Sequence, residues 1–336
     1  MNEKELVYCR VDQWRAAGYT GKGIKVAVHE VAGTTVRNLP RYAGKVFDVH
    51  GGRFGSNNDT HMQGVIDYIL AVAPDVEIYL LSGTVPQNLQ YCIDNGIDLY
   101  NYSQDGGWYN STDNALEAAA MAAGTVFVCS AGNSGSAGLS TQSRKPNWIS
   151  VAAAKWMLWQ GVEGPQWCSY SSYDAYGDHL DTVGFSDGVM IPSESSGGFR
   201  SDSGTSFALP WVVGLLALYK QRFYEQHKRK PSFDEVFNFV KDNSEDMEAP
   251  GYDQRTGWGL LRLPEITVEP VKPAGDILEL WIGSSVAKRN GVPVALQAPP
   301  ILSQWRTLVS VRDIGELFGC SVDWNQDEKK ITIIKG

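Results

Sequence analysis

Two hydrophobic periods alternate along most of this chain. Short apolar, often β-branched runs at residues 24–28, 76–81, 97–103, 125–129 and 147–153 have the length and composition of buried strands. A further short strand is predicted at 180–183. Between them, residues 11–17, 60–70, 86–95 and 112–123 carry apolar positions at helical spacing. In the second of these helices Met62, Val65, Ile66 and Ile69 share one face. Asp113 and Asn114 stand near the start of the fourth and Gly124 just past its end, as helix boundaries favour. Strand alternating with helix is the pattern of βαβ units. It predicts an α/β fold, a mainly parallel sheet between two layers of helices.

The longest apolar helix follows a glycine turn, Ser203-Gly204-Thr205-Ser206, and runs through Phe207, Ala208, Leu209 and Pro210 into residues 211–218. Pro210 is expected in its first turn, where a missing N–H has no intrahelical partner to lose. Ser206 would stand in the positive field of the helix start, which favours developing negative charge. A plain Ser/Thr helix cap explains the same residues. Residues 232–242 form a further amphipathic helix, with Ser232 and Glu235 matching a capping box. Residues 263–275 hold three prolines and alternating charge, the composition of a semi-rigid linker. Beyond it, residues 276–336 read as a small α+β module, with strands near 277–282, 320–324 and 330–334 and a helix at 311–318. The expected organisation is therefore 1–262, a linker at 263–275, and 276–336.

Charge narrows the partners. With 29 Lys and Arg against 38 Asp and Glu, the net charge is 29 − 38 = −9, which argues against nucleic acid and anionic membranes. The one basic cluster, residues 227–230, ends the long helix and complements its negative end. Five cysteines without close spacing read as free thiols of a reducing compartment. No CxxC or HExxH appears, so no metal or other cofactor is signalled. The charged N-terminus and the lack of an 18-residue apolar run make cytoplasmic synthesis the default.

Candidate chemistry sits at the element ends. Glu30 follows the strand at 24–28, where open α/β sheets place their sites; a turn carboxylate is the competing reading. His61 opens the helix at 60–70, and a lone histidine there is often structural. Asn133 lies in the small-residue loop 130–138, with an amide able to donate to an oxyanion, although asparagine is also an ordinary turn former. Ser206 completes the set.

Taken together and in this order, these pieces resemble the subtilisin-like serine proteases over roughly residues 10–262. The residues that carry the resemblance are Gly21-Lys22-Gly23-Ile24 into Val28, Asp59-Thr60-His61 followed by Gly64, Ala131-Gly132-Asn133, and Gly204-Thr205-Ser206-Phe207-Ala208. Acid, then histidine, then serine along the chain is also the order of this family. The resemblance implies a bacterial or phage protease that hydrolyses a peptide or protein substrate through an acyl-enzyme. Ser206 would be the nucleophile, His61 its base, Glu30 the residue orienting His61, and Asn133 the oxyanion donor. Ser103, Gln104 and Asp105 would line the substrate, and Ser130, Ala131 and Gly132 its pocket.

Several departures qualify that implication. The family's acid is normally aspartate, and Glu30 adds a methylene, which predicts an active but slower triad. His29 should face away from Glu30 across the strand, and Asp59 should cap the His61 helix. Asp105 replaces a usual glycine and would narrow the cleft or disfavour acidic peptides. The family's calcium loop is not found, so no calcium is expected, and no inhibitory propeptide is expected before residue 10. The second module resembles the copper amine oxidase N-terminal-like domain, through Asn290-Gly291, Pro299-Pro300 and residues 306–319. No copper ligands accompany it, and a protein or cell-envelope partner is the expected role. The alternative to an endopeptidase is a catalytically weak or inactive subtilase-like scaffold, with the Glu30 carboxylate turned away from His61.

Overall fold

The computed structural model describes residues 3–29, 39–50, 60–104, 111–159, 161–173, 179–193, 197–266, 278–303, 306–327 and 329–335. Glu30, Asp59 and Asp105 lie outside the described residues. The chain divides into two compact units, residues 1–268 and 269–336.

The first unit begins with two short helices, α1 (Glu3–Tyr8) and α2 (Val11–Ala16), and then strand β1 (Lys25–His29). Next come β2 (Val46–Asp48), α3 (Thr60–Val72), β3 (Glu77–Leu81), α4 (Val85–Asn95), β4 (Leu99–Tyr102), α5 (Ser111–Ala122) and β5 (Val126–Ser130). An antiparallel hairpin follows, β6 (Trp148–Trp159) and β7 (Val162–Trp167), and then β8 (Thr182–Phe185). A small hairpin of β9 (Met190–Pro192) and β10 (Phe199–Ser201) precedes α6 (Thr205–His227) and α7 (Phe233–Asn243). Two-residue strands β11 (Ser244–Glu245) and β12 (Leu260–Leu261) end the unit. The strand order is β11-β12-β8-β6-β5-β4-β1-β3-β2, parallel except for β11 on β12, with β7 attached to β6.

The strands are buried on both sides, so they read as continuous apolar runs whose alternate residues feed two cores. Val26, Val28, Ile78, Leu80, Val126 and Val128 pack with α3 and α6. Ala27, Leu81, Tyr100, Phe127 and Trp148 pack instead with Leu89 and Cys92 of α4 and Ala120 of α5. α3 and α6 meet closely because Gly214 has no side chain. A Cβ there would lie 2.5 Å from Val72 Cβ and 3.3 Å from the Ile69 carbonyl.

Several expectations are adjusted. The strand predicted at 147–153 runs on to Trp159 and turns back as β7, a hairpin that the sequence reading did not place although Gly161 marks its turn. The capping box at Ser232 and Glu235 is present, and the Ser232 hydroxyl accepts from the Glu235 N–H at 3.2 Å. Pro210 is the sixth residue of α6, not part of its first turn. Leu263 is buried, and its carbonyl accepts from Arg10 while Trp14 Nε1–H donates to Pro264 O at 2.9 Å. The first residues of the expected linker therefore belong to the first unit.

The second unit has strands β13 (Leu278–Glu279), β14 (Val286–Arg289) and β15 (Val292–Ala295) in one antiparallel sheet. Asn290 and Gly291, both at positive φ, make the tight turn between β14 and β15. A hairpin of β16 (Ile301–Ser303) and β17 (Arg306–Leu308) follows, then α8 (Val311–Leu317) and a hairpin of β18 (Cys320–Asn325) and β19 (Lys330–Lys335). Ser310 caps α8 by accepting from the Asp313 N–H at 3.2 Å.

Candidate active site

Ser206 is the second residue of α6, whose N-cap is Gly204. Gly204 has φ 128°, a conformation that favours glycine, so a Ser/Thr cap is not what places these residues. Its backbone is gripped from both sides. The Gly204 N–H lies 3.0 Å from Tyr170 Oη and 3.1 Å from Ser186 Oγ, and the Ser186 hydroxyl lies 2.9 Å from the Gly204 carbonyl. Tyr170 in turn donates to Asp187 Oδ1 at 2.6 Å. Burial, and after it that carboxylate, push the Tyr170 phenol well above its ordinary range, so it stays a protonated donor.

Ser206 is clasped to the end of β4. Its Oγ–H donates to the Ser103 carbonyl at 3.1 Å, and the Ser103 hydroxyl donates to the Ser206 carbonyl at 3.0 Å. Pro210 explains why that carbonyl is available. In a regular helix it would accept from the N–H of residue 210, which proline lacks. Asn101 Nδ2–H donates to Ser103 Oγ at 2.9 Å and extends the chain of bonds into the sheet.

Asn133 meets the same helix start. Its Oδ1 accepts from the Thr205 N–H at 2.8 Å and from the Thr205 hydroxyl at 3.1 Å. With its oxygen committed there, the exposed side chain has its N–H₂ group left as the donor. Ser130 and Ala131 are buried. Ala131 pairs with Val151 O and Ser140 N–H. Gly132 gives its N–H to Thr205 Oγ1 at 3.2 Å and accepts from the Ser172 N–H at 2.9 Å. Residues 131 and 132 can therefore offer a wall rather than further hydrogen bonds. Gln104 follows Ser103 and is half-buried.

His61 is the second residue of α3 and half-buried. Its ring centroid lies 5.2 Å from that of Phe207, the neighbour of Ser206, and Phe207 lies 5.5 Å from Tyr68. Two helix starts, one carrying a histidine and one a serine, thus converge beside the ends of β4 and β5. His29 faces the other way, bonded to Tyr100 Oη and edge-on to Tyr102. Burial pulls its pKa down to about 4, so it is neutral at ordinary pH and belongs to the α4 side of the sheet.

Sequence reasoning missed Tyr170, Ser186 and Asp187, which hold the Gly204 turn before Ser206 from loops with no motif of their own. It also passed over Asp202. That residue stands four before Ser206, and its carbonyl accepts from Tyr68 Oη at 3.1 Å.

A serine at a helix start beside a histidine is the arrangement that nucleophilic catalysis requires. The chain belongs to the subtilase family, whose model matches residues 47–259. It is 31% identical over 225 residues to M-protease of Shouchella clausii (strain KSM-K16), a match covering 61% of this chain and 56% of that protein. It is 30% identical to subtilisin BL of Lederbergia lenta over 61% of this chain and 79% of that one. The chain thus spans little more than half the length of some of the relatives it matches. Among solved structures, sphericase superposes with a TM-score of 0.60 at 21% identity, covering 73% of this chain and 93% of that one. Residues 266–333 match the copper amine oxidase N-terminal domain.

Proposed function

We propose that the protein is a serine endopeptidase. Ser206 attacks the scissile carbonyl, and His61 accepts its proton and returns it to the leaving amine. The Asn133 amide, aided by the positive end of α6, receives the oxyanion. Glu30 orients His61 and stabilises its cation. The observation that carries this reading is the convergence of His61, Ser206 and Asn133 at the starts of α3 and α6 and the end of β5. The substrate is an extended peptide running beside Ser103 and Gln104.

One observation favours the scaffold reading: the Ser206 hydroxyl gives its proton to the Ser103 carbonyl. A carbonyl cannot act as a base, so catalysis requires that hydroxyl to turn toward His61. A fluorophosphonate probe separates the two readings. Labelling of the wild type that disappears in Ser206→Ala and falls steeply in His61→Ala supports the endopeptidase. An unlabelled, folded wild type supports the scaffold. Glu30→Gln should slow labelling by a smaller factor than either substitution.

A further inference from the structure

Asp202 lies along the face of α3 that carries His61. Three residues of that helix define the face: His61, Gly64 one turn on, and Tyr68 about a turn further. The Tyr68 hydroxyl lies 2.6 Å from the Ser186 carbonyl and 3.1 Å from the Asp202 carbonyl, which keeps the backbone of residue 202 close to the helix. The side chain then enters the notch that Gly64 leaves. A Cβ on Gly64 would meet Asp202 Oδ2 at 2.6 Å and would collide with the Phe207 ring, which also touches His61 and Tyr68. The Asp202 side chain is only 18% exposed, so its charge acts through a poorly screened environment.

We propose that Asp202 is a positioning residue for His61. Its carboxylate stabilises the imidazolium formed when Ser206 is deprotonated, and it supplements the carboxylate at residue 30. This rests on the endopeptidase reading for its catalytic meaning, though not for the coupling itself. Arg200 tempers the effect, pairing with Asp202 through Nη2 to Oδ2 and Nη1 to Oδ1, both at 3.1 Å. The other charged or titratable groups around this corner are Asp67, which Arg200 and Arg41 also face, and Tyr68 with Asp187 beneath it. Glu30 is a further charge in the triad reading. Burial first raises the Asp202 pKa above the usual carboxylate range, and the charges of Arg200 and His61 oppose that rise.

A carboxylate beside His61 favours its cation, so removing the charge lowers the pH at which the imidazole gains its proton. Two readouts test this: the His61 imidazole titration by NMR, and the rate of fluorophosphonate labelling against pH. Asp202→Asn should lower the His61 midpoint by about half to one pH unit, as one poorly screened charge several ångströms away would. The acid limb of labelling should shift by the same amount, and the plateau should slow about three- to tenfold. Asp202→Glu should restore most of both, and Arg200→Gln should move the midpoint upward. An unmoved His61 midpoint in folded Asp202→Asn overturns the proposal, as does an equal loss at every pH. Should that variant not fold, Arg200→Gln decides, an upward shift supporting the proposal and a fixed midpoint overturning it. A wild type that titrates as expected but is not labelled leaves the coupling standing and removes the peptidase reading instead.

Discussion

At the scale of single residues, the site depends on which polar atoms are already committed. Asn133 spends its oxygen on Thr205, which leaves its amide protons for the oxyanion in the proposed mechanism. Asn133→Ala should reduce kcat by roughly 10²- to 10³-fold with little change in KM, the usual effect of losing an oxyanion donor. The same substitution strands the Thr205 N–H and should lower stability by about 1–2 kcal/mol. Steady-state kinetics and denaturant melts on one preparation separate the two. Much of this was legible in the sequence. Gly204 before Ser206, Gly64 after His61 and glycine beside Asn133 each mark a backbone brought close to something. What they approach was not legible, because Tyr170, Ser186 and Asp202 reach the site through tertiary contacts that no spacing encodes. Glu30, read from its place after β1, lies outside the described residues.

At the scale of elements, α3 carries His61 and α6 carries Ser206, so in the proposed mechanism their separation sets the reacting geometry. Gly214 sets that separation at Val72. Gly214→Ala should gain up to about 1 kcal/mol in helix propensity but lose about 1–3 from overpacking. The expected net result is a lower melting temperature and slower probe labelling, because α3 is pushed outward. Val72→Gly in the same chain should restore labelling, since it removes the Cβ in conflict. If the single substitution leaves labelling unchanged, α3 is not positioned by this contact. The element pattern was clear wherever strands were buried on both faces. It failed at the β6–β7 hairpin, where half-exposed tryptophans such as Trp156 and Trp167 look like neither period.

At the scale of the whole molecule, stability should depend on pH through Asp181. This carboxyl lies between β6 and β8 and accepts from the Ser150 N–H at 2.8 Å and the Ser150 hydroxyl at 3.0 Å. Burial outweighs those bonds and raises its pKa to about 7. An acid whose folded pKa is raised holds its proton longer in the native state than in the unfolded chain. Its stabilising contribution is complete below about pH 4, declines as pH rises to about 7, and is absent above that. Asp181→Asn, which stays neutral throughout, should match the wild type at pH 4 and melt at a higher temperature at pH 8. Chemical denaturation at the two pH values checks this, and identical differences at both would exclude Asp181 as the source.

Pro210 interrupts the ladder of α6 at one rung, and the unclaimed oxygen below it is what the β4 end holds on to. Replacing the proline with alanine would return a competing proton to that oxygen. The helix would become more regular while its tether to the neighbouring strand slackened. A protein with a firmer α6 and a less sharply aimed hydroxyl is the expected product: harder to melt, slower to label.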